Sequence, residues 1–208
     1  GPAIEQFTMK EDGLVYHYKP AKNYQMALNI RAGKTFDVKA PPMVAIWLEN
    51  ASFYHIKTLH RPGDSEAAQG SLPYWDFKVR GWERAKRQAK ESGQDLHEQT
   101  AVDGVTSATQ NSSFDPADYI LPADLENPLP YRLLIEIDQP DDNEASLVYA
   151  VDIDNAEPRT FQLLDLIGYP KREEDDEEGN EVWELYFVDG GFESTLGLID
   201  SALLTIER

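Results

Sequence analysis

The pattern of apolar and polar positions along the chain is dominated by alternation with a period of two residues. Apolar side chains occupy every second position from Tyr24 to Ile30, which is typical of a strand with one buried face. The stretch Met43–Glu49 is apolar on both faces, as in a central strand covered on two sides, and Pro41-Pro42 marks its start. Further strands are predicted at residues 53–58, 131–138, 145–152, 160–167, 181–189 and 199–206.

The predicted strands follow one another at the spacing of hairpins. Two turn-forming stretches, residues 139–144 and residues 171–180 with its Gly179-Asn180 pair, separate neighbouring strands. A parallel sheet would need helical crossovers between the strands, and the pattern does not supply them. We therefore predict a mostly β fold of about eight strands, an antiparallel sandwich or open barrel of the immunoglobulin-like kind, with the β-sandwich as our choice.

One segment departs from the β pattern. Apolar residues recur at helical spacing from Val79 to Ala89, and Gly93 lies where a C-terminal cap would fall, which predicts one helix at about residues 80–92. From there to Pro130 the chain is rich in Ser, Asp, Asn and Pro, and we predict a long ordered loop with a functional role. Residues 3–208 are predicted to form a single domain with this helix and loop as an insertion at about residues 61–130.

Composition narrows the function by what it excludes. The 208 residues include no cysteine, which excludes disulfide frameworks, Cys-ligated metal sites and thiol catalysis. They include 19 Lys and Arg against 38 Asp and Glu, a formal net charge of −19. Binding to nucleic acid or to an anionic membrane surface needs dense positive charge, so we expect neither. No run of 18 apolar residues occurs, so we expect no membrane span, and Gly1-Pro2 is typical of the remnant of a purification tag.

The charge is unevenly distributed along the chain. Between Asp138 and Asp189 there are 17 acidic and 3 basic residues, whereas the predicted helix carries 6 basic residues within residues 78–90. The basic helix could bind an acidic partner, a phosphate-bearing cofactor or the acidic half of its own chain, and a solvated helix face is the simplest interpretation. The acidic run Glu173–Glu178 is interpreted as a hairpin tip that keeps strand edges from pairing with other molecules.

The most distinctive local motif is Asp103-Gly-Val-Thr-Ser-Ala-Thr109. It resembles the flavinylation signature of extracytoplasmic flavin carriers, in which a flavin transferase esterifies the last Thr or Ser with the phosphate of flavin mononucleotide. That resemblance implies Thr109 as the acceptor, with Asp103 and Thr106 in the recognised signature. The strand and glycine features that precede this motif in flavin-binding domains are not apparent here. The simpler interpretation, which we favour, is a tight loop in which Asp103 and Thr106 bind the backbone.

A second resemblance extends over residues 43–138, in a series of short elements around that motif. The elements are Ile46-Trp47-Leu48-Glu49, Ile56-Lys57-Thr58-Leu59, Leu72-Pro73-Tyr74-Trp75, the helix with Trp82, the 103–109 motif and a late strand at residues 131–136. Together they resemble the family called domain of unknown function 2271, although this chain has Ser107 where that family commonly has Gly. The resemblance implies an immunoglobulin-like sandwich outside the cytoplasm, often encoded near membrane-bound flavin or iron-reduction machinery, and no established activity.

Metal sites are the remaining candidates for chemistry. His17, His55, His60 and His97 form no recognisable cluster, and ordinary histidines are the favoured interpretation. Oxygen ligands alternate at Asp152 and Asp154, and the preceding turn with Asp141 could point to the same end of the fold, which makes a calcium site a weak candidate.

Taken together, the sequence predicts a non-enzymatic, extracytoplasmic β-sandwich module without a cofactor. No nucleophile motif, phosphate-binding loop or dinucleotide fingerprint occurs. We expect it to bind a protein partner in a redox-linked or iron-linked system of the cell envelope, with its signal peptide removed. The alternative is an electron-transfer protein with covalent FMN on Thr109, and a third hypothesis is a calcium-stabilised adhesion or matrix module.

Overall fold

The computed structural model describes residues 4–50, 53–63, 65–93, 132–154 and 156–208. Within these ranges the chain forms eleven strands and three helices. In chain order they are β1 (Ile4–Lys10), β2 (Gly13–Ala21), β3 (Tyr24–Ala32), β4 (Met43–Glu49), β5 (His55–His60), α1 (Ser65–Ser71), α2 (Pro73–Glu91), β6 (Arg132–Asp138), β7 (Leu147–Asp152), β8 (Arg159–Leu163), β9 (Asp165–Arg172), β10 (Trp183–Tyr186), α3 (Glu193–Leu196) and β11 (Ile199–Glu207).

The strands form two antiparallel sheets that share one apolar core. The five-stranded sheet has the order β1-β2-β3-β11-β8, and the six-stranded sheet has the order β10-β9-β7-β6-β4-β5. Met26 and Leu28 from the first sheet pack in the same core as Ile46 and Ile135 from the second. The predicted antiparallel β-sandwich with a helix is therefore confirmed.

A second apolar cluster lies on the outer face of the six-stranded sheet. Trp47 of β4 and Leu134 of β6 belong to it, together with Leu72 and Trp75 from the start of α2. Helix α2 therefore covers this face, which explains why β4 and β6 are apolar on both sides. The prediction that Met43–Glu49 is a central strand covered on two sides is confirmed.

Helix α2 begins at Pro73, seven residues before the predicted start at residue 80. The reason lies on strand β6, where the carboxylate of the fully buried Glu136 accepts hydrogen bonds from the backbone N–H groups of Tyr74 (3.2 Å) and Trp75 (2.7 Å) and from the Ser146 hydroxyl (2.7 Å). A carboxylate at this position satisfies two N–H groups that have no partner within the helix. Burial nevertheless raises the pKa of Glu136 to about 8, against these hydrogen bonds, which lower it.

Other differences from the prediction concern the strands. The hairpin of β1 and β2 was not predicted, because its outward positions mix polar and apolar side chains. The single strand predicted at residues 160–167 is two strands, β8 and β9, which belong to different sheets. The apolar positions change phase at Leu163-Leu164, where the chain passes from one sheet to the other, and the predicted strand ran across this point. The predicted long loop lies outside the described residues.

Candidate binding groove

The motif singled out in the sequence lies outside the residues that the structure describes. Asp103, Thr106 and Thr109 all belong to residues 94–131, and the same is true of His97. Covalent flavin on Thr109 therefore stays a prediction that rests on the motif.

The structure does not bring the calcium candidates together. In the β6–β7 hairpin, Asp152 lies opposite Arg132 and pairs with it at 2.9 Å, whereas Asp141 lies in the turn at the other end of strand β7. The six residues of β7 separate these ends by roughly 17 Å. Asp154 is exposed, and its carboxylate accepts the N–H of Ala156. Within the described ranges no three His, Asp or Glu side chains are close enough to hold a metal ion.

The histidines likewise lie apart. His55 is buried beneath α2, where its Nε2 is 2.7 Å from the Thr58 hydroxyl, and burial lowers its pKa to about 4. His60 stacks on Phe7 of the other sheet at 3.7 Å between ring centroids. The two histidines therefore point to opposite faces of β5. His17 is exposed on the outer face of the five-stranded sheet.

A groove of about 630 Å3 lies between helix α2, the 53–54 loop and the tip of the β9–β10 hairpin. Its floor is aromatic: Phe53 is 54% exposed and Tyr54 is 37% exposed, and Phe77 of α2 lies beside them. Surface aromatic side chains grouped in a cavity are typical of a binding site. The groove was not predicted, because its parts come from three distant segments of the chain.

The aromatic floor is held in place by a tight turn. Asn50 receives the N–H of Tyr54 on its side-chain oxygen (3.1 Å) and that of Phe53 on its carbonyl oxygen (3.0 Å). Phe53 has a φ of +65°, which is uncommon for a residue with a bulky side chain. The Arg132 guanidinium lies 4.8 Å from the centre of its ring. These contacts fix the direction of a ring that would otherwise be free.

Lys78 contributes a cation to the groove, but its charge is already matched within the protein. Its Nζ donates to the carbonyl of Phe53 at 2.5 Å and lies 3.4 Å from the Glu49 carboxylate. Glu49 is buried and also accepts a hydrogen bond from the Trp47 indole at 3.0 Å. Burial raises the pKa of Glu49, and the charge of Lys78 opposes that rise.

The wall of the groove opposite α2 is the acidic tip of the β9–β10 hairpin, residues 176–180. The Asp176 carboxylate accepts the backbone N–H of Asn180 (2.8 Å) and of Glu178 (3.0 Å), which closes the turn. The N–H of Asn180 is the main cause of the lowered pKa of Asp176, and the charge of Arg84 on α2 adds to it. Glu177 and Glu178 line the groove as well, and neither forms an ion pair with a described residue.

Ion pairing also joins the helix to the acidic half of the chain. Arg80 lies 2.8 Å from Asp76 and 3.5 Å from Glu181, so it bridges α2 and the segment between the hairpin tip and β10. Of the three partners considered for the basic helix, its own acidic segment is the one with which the structure shows contacts.

The charges that line the groove indicate which kind of ligand it suits. Lys78 is paired with Glu49. Among the remaining charges that line the groove, the single cation of Arg84 stands against the three carboxylates of Asp176, Glu177 and Glu178, so the groove with its aromatic floor is negative on balance. Carboxylates and aromatic faces both attract cations. The arrangement suits a basic or quaternary ammonium group.

Comparison with known proteins gives no family for this chain: no family model, curated protein or solved structure matches it. The resemblances described above therefore stay predictions. Within the described residues, no helix is both long and apolar enough to cross a membrane.

Proposed function

We propose that this protein is a binding module whose groove receives a basic side chain from a partner protein. The observation that carries the proposal is a pair of carboxylates, Glu177 and Glu178, that form no ion pair with a described residue and line the same groove as the aromatic side chains Phe53, Tyr54 and Phe77. Its place outside the cytoplasm, in a redox-linked or iron-linked system of the cell envelope, is part of the proposal and rests on the resemblance to domain of unknown function 2271.

The magnitudes indicate a protein segment rather than a single small cation. A cation on an exposed aromatic face gains about 0.5–1 kcal/mol, and up to ~2 kcal/mol when it is desolvated. An exposed ion pair adds about 0.2–1 kcal/mol. One basic side chain therefore supplies at most about 4 kcal/mol with both carboxylates, against the roughly 8 kcal/mol of a micromolar complex. The groove recognises the basic residue, and neighbouring residues of the same segment must add the remaining affinity.

Titration by NMR with a short peptide tests the proposal, because NMR detects millimolar binding. The probe carries three Arg residues separated by Gly and Ser, and a matched peptide carries Gln instead of Arg. We expect shifts at Phe77 and at the hairpin tip with the Arg peptide only. The double variant E177Q/E178Q should bind it several-fold more weakly, since it loses two ion pairs of about 0.2–1 kcal/mol each.

The matched control is E173Q/E174Q, which removes two charges from the same hairpin outside the groove. It should bind within about twofold of the unchanged protein, because ionic screening reduces attraction over longer distances. Equal weakening in both double variants would mean that net charge alone attracts the peptide, and the proposed site would be wrong. Binding of the Gln peptide with equal affinity would also contradict it.

A further inference from the structure

Strand β8 forms an edge of the five-stranded sheet and exposes two large apolar side chains there. Phe161 is 59% exposed and Leu163 is 62% exposed, and both lie on the outer face of the sheet. Their neighbours across β11 are Thr205 and Leu203. The site is separate from the groove, which lies beside the six-stranded sheet.

The hydrogen bonds of β8 show which backbone groups remain available. The N–H of Leu164 donates to the carbonyl of Ala202 and the N–H of Arg208 donates to the carbonyl of Pro158, both at 2.9 Å. The register between these two points is regular. In an antiparallel ladder, alternate residues bond to the neighbouring strand, so residues 158, 160, 162 and 164 face β11. The N–H and C=O groups of residues 159, 161 and 163 therefore point to the open edge.

The other sheet edges differ from β8 in ways that discourage pairing. Strand β10 has only four residues and includes Glu184. Strand β5 is covered in part by α2, whose Trp75 indole donates to Thr58 at 3.0 Å. Strand β1 carries Glu5 and Lys10 at exposed positions. Charge, short length and cover are the usual protections of edge strands, and after Arg159 the remaining residues of β8, 160–163, have no charged side chain.

The charges on either side of β8 indicate the kind of partner. Glu157 precedes the strand and Asp165 follows it, while the basic residue Arg159 is already paired with Glu207 at 3.1 Å. If a second copy paired antiparallel about Phe161, Glu157 of each copy would lie opposite Asp165 of the other. Like charges placed directly opposite are unfavourable. A strand with basic residues at its two ends would instead be attracted.

We propose that the open edge of β8 binds an extended segment of a partner protein as an added strand. The segment has apolar side chains at alternate positions, which pack beside Phe161 and Leu163, and basic residues at both ends, near Glu157 and Asp165. Main-chain hydrogen bonds to residues 159, 161 and 163 supply affinity, and the apolar side chains and charges supply specificity.

The test uses a synthetic peptide, with capped termini, in which three Val alternate with Thr between pairs of Lys. Binding is measured by fluorescence anisotropy and by amide hydrogen exchange. All measurements are made in the E177Q/E178Q variant, so that the groove does not contribute and the two proposals are tested separately. We expect slower exchange at the amides of residues 159, 161 and 163 when the peptide is present. A matched peptide with Glu in place of Lys should bind at least tenfold more weakly.

Two variants locate the binding at the edge. Leu163→Pro removes an N–H that points outward and so leaves the bonds to β11 intact. Phe161→Thr keeps a good strand former and removes the exposed ring. Each should weaken binding about tenfold or more, while Ile4→Ala, which alters an equally exposed side chain on the opposite edge strand, should not. Unchanged affinity in both edge variants, no exchange protection, or a dimer in sedimentation that Phe161→Thr dissolves would overturn the proposal.

Discussion

Replacing Glu136 with Gln should remove much of the pH dependence of stability between pH 6.5 and pH 8. Burial raises the pKa of this carboxyl to about 8 in the folded protein, from 4.5 in an exposed glutamate. Because the folded state holds the proton more tightly, it binds more protons than the unfolded chain within this interval. The stability that comes from the neutral form is fully present below pH 4.5 and is lost as the pH rises through 8.

The size of the effect follows from proton linkage. One proton held by the folded state alone changes the free energy of unfolding by about 1.4 kcal/mol for each pH unit. Between pH 6.5 and pH 8, Glu136 should therefore lower the stability of the protein by about 2 kcal/mol. Burial also raises the pKa of Asp138 to about 7, which adds to the loss of stability, whereas the lowered pKa values of His55 and His60 act in the opposite direction at lower pH. The substitution removes none of these three groups.

The assay is urea unfolding followed by tryptophan fluorescence at pH 6.5, 7.0, 7.5 and 8.0. The unchanged protein should lose stability across the series, and Glu136→Gln should lose about 2 kcal/mol less. Glu11→Gln, at an exposed turn, is the control and should follow the unchanged protein. If Glu136→Gln keeps the full slope, or if stability rises with pH in the unchanged protein, the assignment of a raised pKa to Glu136 is wrong.

Three further predictions concern the cofactor, the cation and the backbone. Co-expression with a flavin transferase should add the mass of one FMN less water if Thr109 is an acceptor, and Thr109→Ala should abolish the gain; no gain beside a labelled control substrate would remove the flavin hypothesis. Calcium should leave the melting temperature equal to that in chelator, because Asp152 is paired with Arg132 far from the 139–144 turn; a saturable rise would contradict this. Gly13→Ala should destabilise by more than about 1 kcal/mol in urea unfolding, since its φ is +143° and a Cβ would lie 1.9 Å from a carbonyl oxygen of β3. Gly81→Ala, in a helical position with open space around it, should instead stabilise by about 0.5–1 kcal/mol, and equal effects of the two changes would refute the backbone argument.

The sequence was sufficient to predict the structure where the apolar pattern of a single strand decides it. The doubly apolar stretch Met43–Glu49 predicted a central strand, and α2 and the other sheet cover its two faces. The beginning of α2 could not be predicted in the same way, because it depends on Glu136, a buried carboxylate from a strand far along the chain. The break between β8 and β9 was missed because the apolar residues Phe161 and Leu163 suggest a buried face, whereas both are exposed and the phase of the pattern changes at Leu164.

The groove could not be predicted from the sequence, for a related physical reason. Its aromatic floor, basic wall and acidic wall come from residues 53–54, 77–88 and 176–180, and each part alone has an ordinary structural explanation. Among the aromatic residues of α2, Trp75 and Trp82 are buried, whereas Phe77 lines the groove. Only their packing in three dimensions shows which charges remain unmatched.

The acidic residues are distributed differently at the two proposed binding sites, and this difference supports both proposals. The run Glu173–Glu178 was interpreted as protection for a strand edge, but its tip packs beside α2, and Asp176 closes the turn there. Strand β8 is an edge that exposes two large apolar side chains, Phe161 and Leu163, and residues 160–164 carry no charge that would discourage pairing. Edge strands commonly carry charged side chains that discourage pairing, and none of the 38 acidic residues of the chain lies within residues 160–164. The uncharged stretch at residues 160–164, between Arg159 and Asp165, is what the proposed added strand requires.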